Sequence, residues 1–214
     1  MLAAAVDLID EGGLDRLSMR EVARAAGVSH QAPYHYFADR EAILAAIAEA
    51  GFGILGTRLE RSREGAETAA ARLTALGRAY VEFALDHPAL FRVMFRGDVV
   101  DVERFPECKR MADGAFARLP VLVQEMTDEG LPAAPSAQAL IVLFWSTAHG
   151  LACLLLDGPL AKKVPEAATA RDALVEETMV ALQHMVEARL AVALGGGGAP
   201  RRRPKLGRKP SRAR

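Results

Sequence analysis

The 214-residue chain is 51% hydrophobic, 6% aromatic and 25% charged. That is apolar material for one large domain or two small ones; it excludes a wholly disordered chain, and its Ala, Leu and Val content favours packed helices over a β-sandwich. The net charge of zero hides an asymmetry: Arg201, Arg202, Arg203, Lys205, Arg208, Lys209, Arg212 and Arg214 leave residues 1–200 with 19 basic and 27 acidic side chains. Cys108 and Cys153 are too few for a disulfide framework and lack zinc spacing, so a reduced, cytoplasmic setting is expected. Apolar residues 1–9 have no basic flank, so no secretory signal is expected.

Residues 3–11 read as a helix with Val6 and Ile9 on one face, ended by Gly12-Gly13. Ser18 and Glu21 form a capping box that opens a helix over 19–26, with Val22, Ala23 and Ala26 inward. Gly27 supplies a left-handed turn, Val28 anchors it, and Ser29 caps a short helix over 30–36. Asp39 caps a longer helix from Arg40, with Ile43, Leu44, Ile47 and Ala48 inward. Gly51, Gly53 and Gly56 mark either a frayed helix end or a soft joint.

Residues 66–86 are helical, with Leu73, Leu76, Tyr80, Phe83 and Ala84 at helical spacing, until His87-Pro88 stops the pattern. A short amphipathic helix over 88–96 holds Leu90, Phe91, Met94 and Phe95. Residues 107–129 form a helix kinked or broken at Pro120. The uncharged stretch 137–156 approaches the roughly 20 residues of a membrane span. Ser146, Thr147, His149 and Gly150 within it favour a core or interface helix, and no membrane is expected. A last helix over 165–194 carries Val175, Met179, Leu182, Val186 and Leu190 as a stripe, with Gly195 as its cap. Residues 195–200 read as a linker and 201–214 as a disordered basic tail. Within the tail, Gly207-Arg208-Lys209-Pro210 loosely resembles an AT-hook core, with Lys209 where such cores have Arg. No period-two alternation and no repeat appear.

The functional signal lies in residues 17–40. A capped helix, a Gly-centred turn and a short second helix make a helix-turn-helix, with Val22, Val28 and Phe37 expected in its shared core. The second helix then enters a DNA major groove. His30 and Gln31 reach base edges and Ala32 meets a thymine methyl, while Ser18, Tyr34, His35 and Arg40 hold phosphates. Arg20 and Ser29 complete the expected DNA-binding set.

Leu17-Ser-Met-Arg-Glu-Val-Ala-Arg-Ala-Ala-Gly-Val-Ser29, followed by Tyr34-His-Tyr-Phe-Ala-Asp-Arg-Glu-Ala-Ile-Leu44, resembles the TetR family of bacterial transcriptional repressors. The resemblance implies an all-α fold of about nine helices, with a DNA-binding head (1–47) and a helical ligand-binding and dimerisation domain (66–194). It implies phosphate contacts at Tyr34 and Arg40 and a core role for Phe37. Trp145-Ser-Thr-Ala-His149-Gly150, with His87-Pro88-Ala-Leu-Phe91, is similar to the Trp-His-Gly type of TetR C-terminal domain. Two departures stand out. There is no basic N-terminal arm, and residues 1–50 hold four basic and eight acidic side chains. Pro33 occupies the recognition helix, where it is expected to tighten or bend the helix start.

Phe83, Phe91, Met94, Phe95, Phe116, Trp145 and His149 are candidates for an apolar effector pocket, with Met111 and Met126 nearby; ordinary core packing is the alternative. His149 either meets a ligand or is a satisfied interface histidine. Enzyme motifs are absent, and no catalytic residue, cofactor or metal is expected. The expected protein is a ligand-released homodimeric repressor, paired through its last two helices on a palindromic operator of double-stranded DNA and acting at the nucleoid. Two alternatives stay open: a tail-driven architectural DNA-binding protein, and a helical interaction protein that has lost DNA binding.

Overall fold

A computed structural model describes residues 1–131, 136–164 and 168–195. The linker, the basic tail and Pro165 lie outside the described residues, apart from Gly195. Among the described residues the chain folds into nine α-helices and three 3-10 turns. The helices are α1 (Leu2–Gly12), α2 (Met19–Ala25), α3 (Arg40–Ser62), α4 (Ala69–Asp86), α5 (Pro88–Met94), α6 (Pro106–Phe116), α7 (Arg118–Asp128), α8 (Ala137–Leu156) and α9 (Ala168–Gly195).

Local chemistry sets most boundaries. Ser18, Asp39, Thr68 and Ser136 each accept a hydrogen bond from the backbone N–H three residues on, which satisfies a donor left free at a helix start. The capping box at Ser18 is only half made, because the Glu21 carboxylate turns to Arg24. Gly27 sits at φ 67°, the left-handed turn expected of it. Glu129 supplies the remaining cap of α4: both carboxylate oxygens accept from the Ala69 N–H, at 2.9 and 3.1 Å. A negative charge there also suits the positive end of the helix dipole.

α3 runs from the head into the body. Its first half buries Ile43, Leu44, Ile47 and Ala48 against the head, and its second half buries Phe52, Leu55 and Leu59 among α4, α5 and α6. One hydrophobic core is therefore continuous from α1 to α9. α8 and α9 both pack on α4.

Four expectations are corrected. The glycines of α3 neither end nor fray it: a Cβ at Gly51 would lie 2.5 Å from the Met94 sulfur and one at Gly53 2.9 Å from the Met111 methyl. These glycines let α5 and α6 approach closely. The break in 107–129 falls at Ala117, not at Pro120. Pro120 sits in the first turn of α7, where its missing N–H has no helical partner to lose. Val28 is 41% exposed, so Val22 and the half-buried Phe37 pack the head without it. The expected helix over 30–36 is a 3-10 turn, Ala32–His35.

Candidate nucleic-acid interface and effector chamber

Pro33 is buried at the start of the 3-10 turn, and its carbonyl accepts from both Tyr36 and Phe37. The fixed φ of proline and its missing donor suit a tight single turn better than a helix interior. The turn leaves Ser29, His30, Gln31, Tyr34 and His35 exposed, with Ala32 half-buried. Tyr36, not singled out from sequence, is 73% exposed, beside Tyr34 at 56%. Tyr36 is the residue that ends the 3-10 turn, and both rings stand exposed there.

Two of the four arginines of the head are engaged. Arg24 forks onto Glu21, and each is shifted toward its charged form chiefly by that side-chain hydrogen bond. Arg40 turns inward: its guanidinium donates to the carbonyls of Leu17 and Leu14, both at 2.8 Å. Arg40 therefore braces the chain entering α2 instead of standing free at the surface. Arg20 is exposed on α2, and Ser18 is exposed but spent as a cap.

The second feature is an apolar chamber of about 60 Å³ enclosed by α3, α4, α6, α7 and α8. Phe95, Phe116 and Trp145 line it. Trp145 meets Phe116 edge-on, with ring centroids 5.0 Å apart. The other expected residues do not line it. Phe83 is fully buried and packs on His87; Met94 is buried against Gly51. Phe91 and His149 face a separate cleft near Arg92 and Asp157. Their helical spacing matched the pocket residues, but their helices turn them elsewhere. Phe52, Leu55, Leu73, Leu76 and Phe144 line the chamber too, and in sequence their inward apolar positions carry no mark that separates cavity wall from packed core; Arg118 joins them, a charge whose placement only the packing of α7 reveals.

Tyr80 of α4 forms the polar side of the chamber. Its hydroxyl is 2.8 Å from His149 Nδ1. Burial pushes the Tyr80 phenol well up and holds the His149 imidazole below its ordinary value, so both stay neutral at pH 7. A neutral Tyr–His pair is a satisfied hydrogen bond. Burial, with Glu49 nearby, pushes the Cys108 thiol up to about 11, which removes the thiolate needed for redox sensing.

Chamber and head are physically connected. Phe95 lines the chamber and begins the segment that leads to the 3-10 turn Val102–Arg104. Within that segment Val100 is buried, the Asp101 N–H donates to Glu41 Oε1 at 3.3 Å, and Arg104 donates to Glu41 Oε2 at 2.5 Å. Glu41 lies in the first turn of α3, next to Arg40.

Comparison with known proteins agrees with this architecture. Residues 1–47 match the family described as bacterial regulatory proteins of the tetR family. Residues 73–190 match the tetracyclin repressor-like C-terminal domain. A protein of unknown function from Rhodococcus sp. RHA1 is 33% identical, with 89% of this chain and 93% of that one covered at a TM-score of 0.69. The TetR-family regulator PfmR from Thermus thermophilus is 19% identical over 88% of this chain and 97% of its own, TM-score 0.66. The regulator FadR from Bacillus subtilis, solved in complex with stearoyl-CoA, is 18% identical over 85% of this chain and 95% of its own, TM-score 0.69. No curated protein matches the chain. With a helix-turn-helix head, a helical body and family matches over both, the chain belongs to the TetR family of DNA-binding transcriptional regulators.

Proposed function

We propose that the protein is a homodimeric repressor that releases a palindromic operator when an apolar effector fills the chamber. The observation that carries this reading is the continuous path from Phe95 in the chamber wall to Glu41 at the root of the head. A ligand that swells a chamber of about 60 Å³ must move its wall. Movement of Phe95 then shifts the Asp101 and Arg104 contacts that seat α3. Affinity for DNA falls by the ligand's differential affinity for the two head positions. A regulator of this fold takes stearoyl-CoA, in keeping with an apolar effector here.

Dimerisation through α8 and α9 is supported by what these helices leave outside. Val142 and Leu143 are 49% and 50% exposed, and Met185 and Val192 are 63% and 76% exposed. A pair of such faces across a two-fold axis buries them and sets two heads on successive major grooves. The expected DNA contacts are His30, Gln31 and Ala32 at base edges, with Ser18, Arg20, Ser29, Tyr34 and His35 at phosphates. Arg40 braces the chain entering α2, the helix that precedes the turn presenting them.

The test is selection from genomic DNA with the full chain and with a deletion of residues 195–214, each at two salt concentrations, alongside sedimentation of the free protein. A palindromic motif kept by the truncated dimer is expected. A monomer at micromolar concentration, or binding that needs the tail and shows no motif, would move the function to the basic tail. The acidic head favours that second reading, since phosphate neutralisation supplies much of DNA affinity.

A further inference from the structure

The chamber wall is apolar except at Tyr80, Trp145 and one charged side chain, Arg118 of α7. Arg118 reaches into two spaces at once. It lines the chamber, and it lines an adjoining groove that also holds Glu60, Arg61 and Arg110.

The hydrogen bonds of Arg118 are incomplete. One terminal nitrogen, Nη1, donates to the Gly114 carbonyl. Nε is buried and has no hydrogen-bond partner among the described residues. The Glu60 carboxylate is 3.4 Å from Nε, close enough for charge attraction, and Glu60 itself is 66% exposed against 24% for Arg118. Glu60 thus approaches Nε from the exposed groove, and Arg118 is the one charged side chain that lines both that groove and the chamber. A buried donor without a partner is costly, and two parallel N–H donors match the two oxygens of a carboxylate.

We propose that the effector is an amphipathic carboxylate, its apolar chain in the chamber and its carboxylate on Arg118. This rests on the reading of the chamber as the effector site. The ligand carboxylate takes the Nε–Nη2 edge and displaces Glu60, which belongs to α3, the helix that seats the head. A neutral ligand of equal length leaves the Nε donor poorly matched, and an ammonium is repelled by Arg61, Arg110 and Arg118. The small chamber selects short to medium chains.

Trp145 is the only tryptophan of the chain and lines the chamber, so its emission reports occupancy without DNA. The full-length protein is titrated with octanoate, octanol and octylamine, followed by Trp145 emission and by calorimetry. Octanoate is expected to bind at least tenfold more tightly than octanol, and octylamine more weakly than both. Arg118→Gln removes the preference for octanoate over octanol, so that acid and alcohol bind within about twofold of each other. Glu60→Gln tightens octanoate at least threefold by removing the competing carboxylate, and it does so in a protein that keeps Arg118. Equal binding of acid and alcohol, or an acid preference that survives Arg118→Gln, overturns the proposal while leaving the chamber as an effector site. Absence of binding by either overturns both. Operator binding by the ligand-free protein is measured separately, so the repressor reading stands or falls on its own.

Discussion

Arg40 shows how far a residue's role depends on where its side chain can reach. In sequence it sits beside a helix cap, a natural place for a phosphate contact. In the structure it spans back to Leu14 and Leu17 and satisfies two carbonyls at the entry to α2. Arg40→Met removes both bonds and should cost about 1–3 kcal/mol, the usual value for a charged donor on buried acceptors. Urea melts at neutral pH measure it; an unchanged midpoint would return Arg40 to the phosphate role. His149 yields a pH prediction. Burial holds its folded-state value below the ordinary one. As pH falls past about 6.5, the unfolded chain takes up a proton before the folded one does. The contribution of His149 is thus complete above that pH and declines below it. Thermal melts at pH 7.5 and 5.5 should show a larger drop for the wild type than for His149→Asn, which keeps a side-chain partner for Tyr80 but does not titrate.

At the scale of elements, the sequence was legible wherever the determinant was local. Ser18 and Asp39 cap the helices they were expected to cap, whereas Ser29 makes no side-chain cap because the turn starts at Ala32, and α8 has the expected bounds Ala137–Leu156. Expectations failed where a distant partner decided. Three glycines within six residues suggest a weak helix end, yet α3 continues, with Met94 and Met111 from other helices filling the space beside Gly51 and Gly53. Gly51→Ala separates the two accounts. A frayed end would gain about 1 kcal/mol from the better helix former. Against Met94 the added methyl should cost about 1–3 kcal/mol by overpacking, read from denaturant melts. Pro33 illustrates the same point in the other direction: an imino acid compatible with a helix start instead closes a single 3-10 turn with its ring in the core. Pro33→Leu is expected to change operator preference, because lengthening the turn re-aims His30, Gln31 and Tyr34; selection of DNA sequences by the variant checks it.

For the whole molecule the question is how the chamber and the head exchange free energy. The core is continuous through α3, so the head is not an independent bead on a joint. The Glu41 contacts with Asp101 and Arg104 close a second route beside that helix. They are exposed and add little to stability, so under the proposed mechanism their value would lie in coupling. Glu41→Gln with Arg104→Ala should leave the melting temperature within a few degrees and effector affinity nearly unchanged. The fold-change in operator affinity on effector binding should shrink by several-fold. Fluorescence anisotropy of labelled operator with and without effector measures it, and an unchanged ratio would assign all coupling to α3.

What the sequence determined by itself is the set of features written in neighbouring residues: the helical class, the caps, the left-handed turn at Gly27 and the helix-turn-helix with its family pattern. These depend on backbone donors, φ angles and side chains within one or two turns, so a local reading reaches them. The tertiary structure decided what requires several helices at once. Which aromatic residues wall a chamber and which fill the core depends on helix rotation about α4. Whether Arg118 is paired depends on Glu60 arriving from α3. Apolar periodicity records that a face is buried; only the packing of the other helices against it decides whether that burial leaves a space.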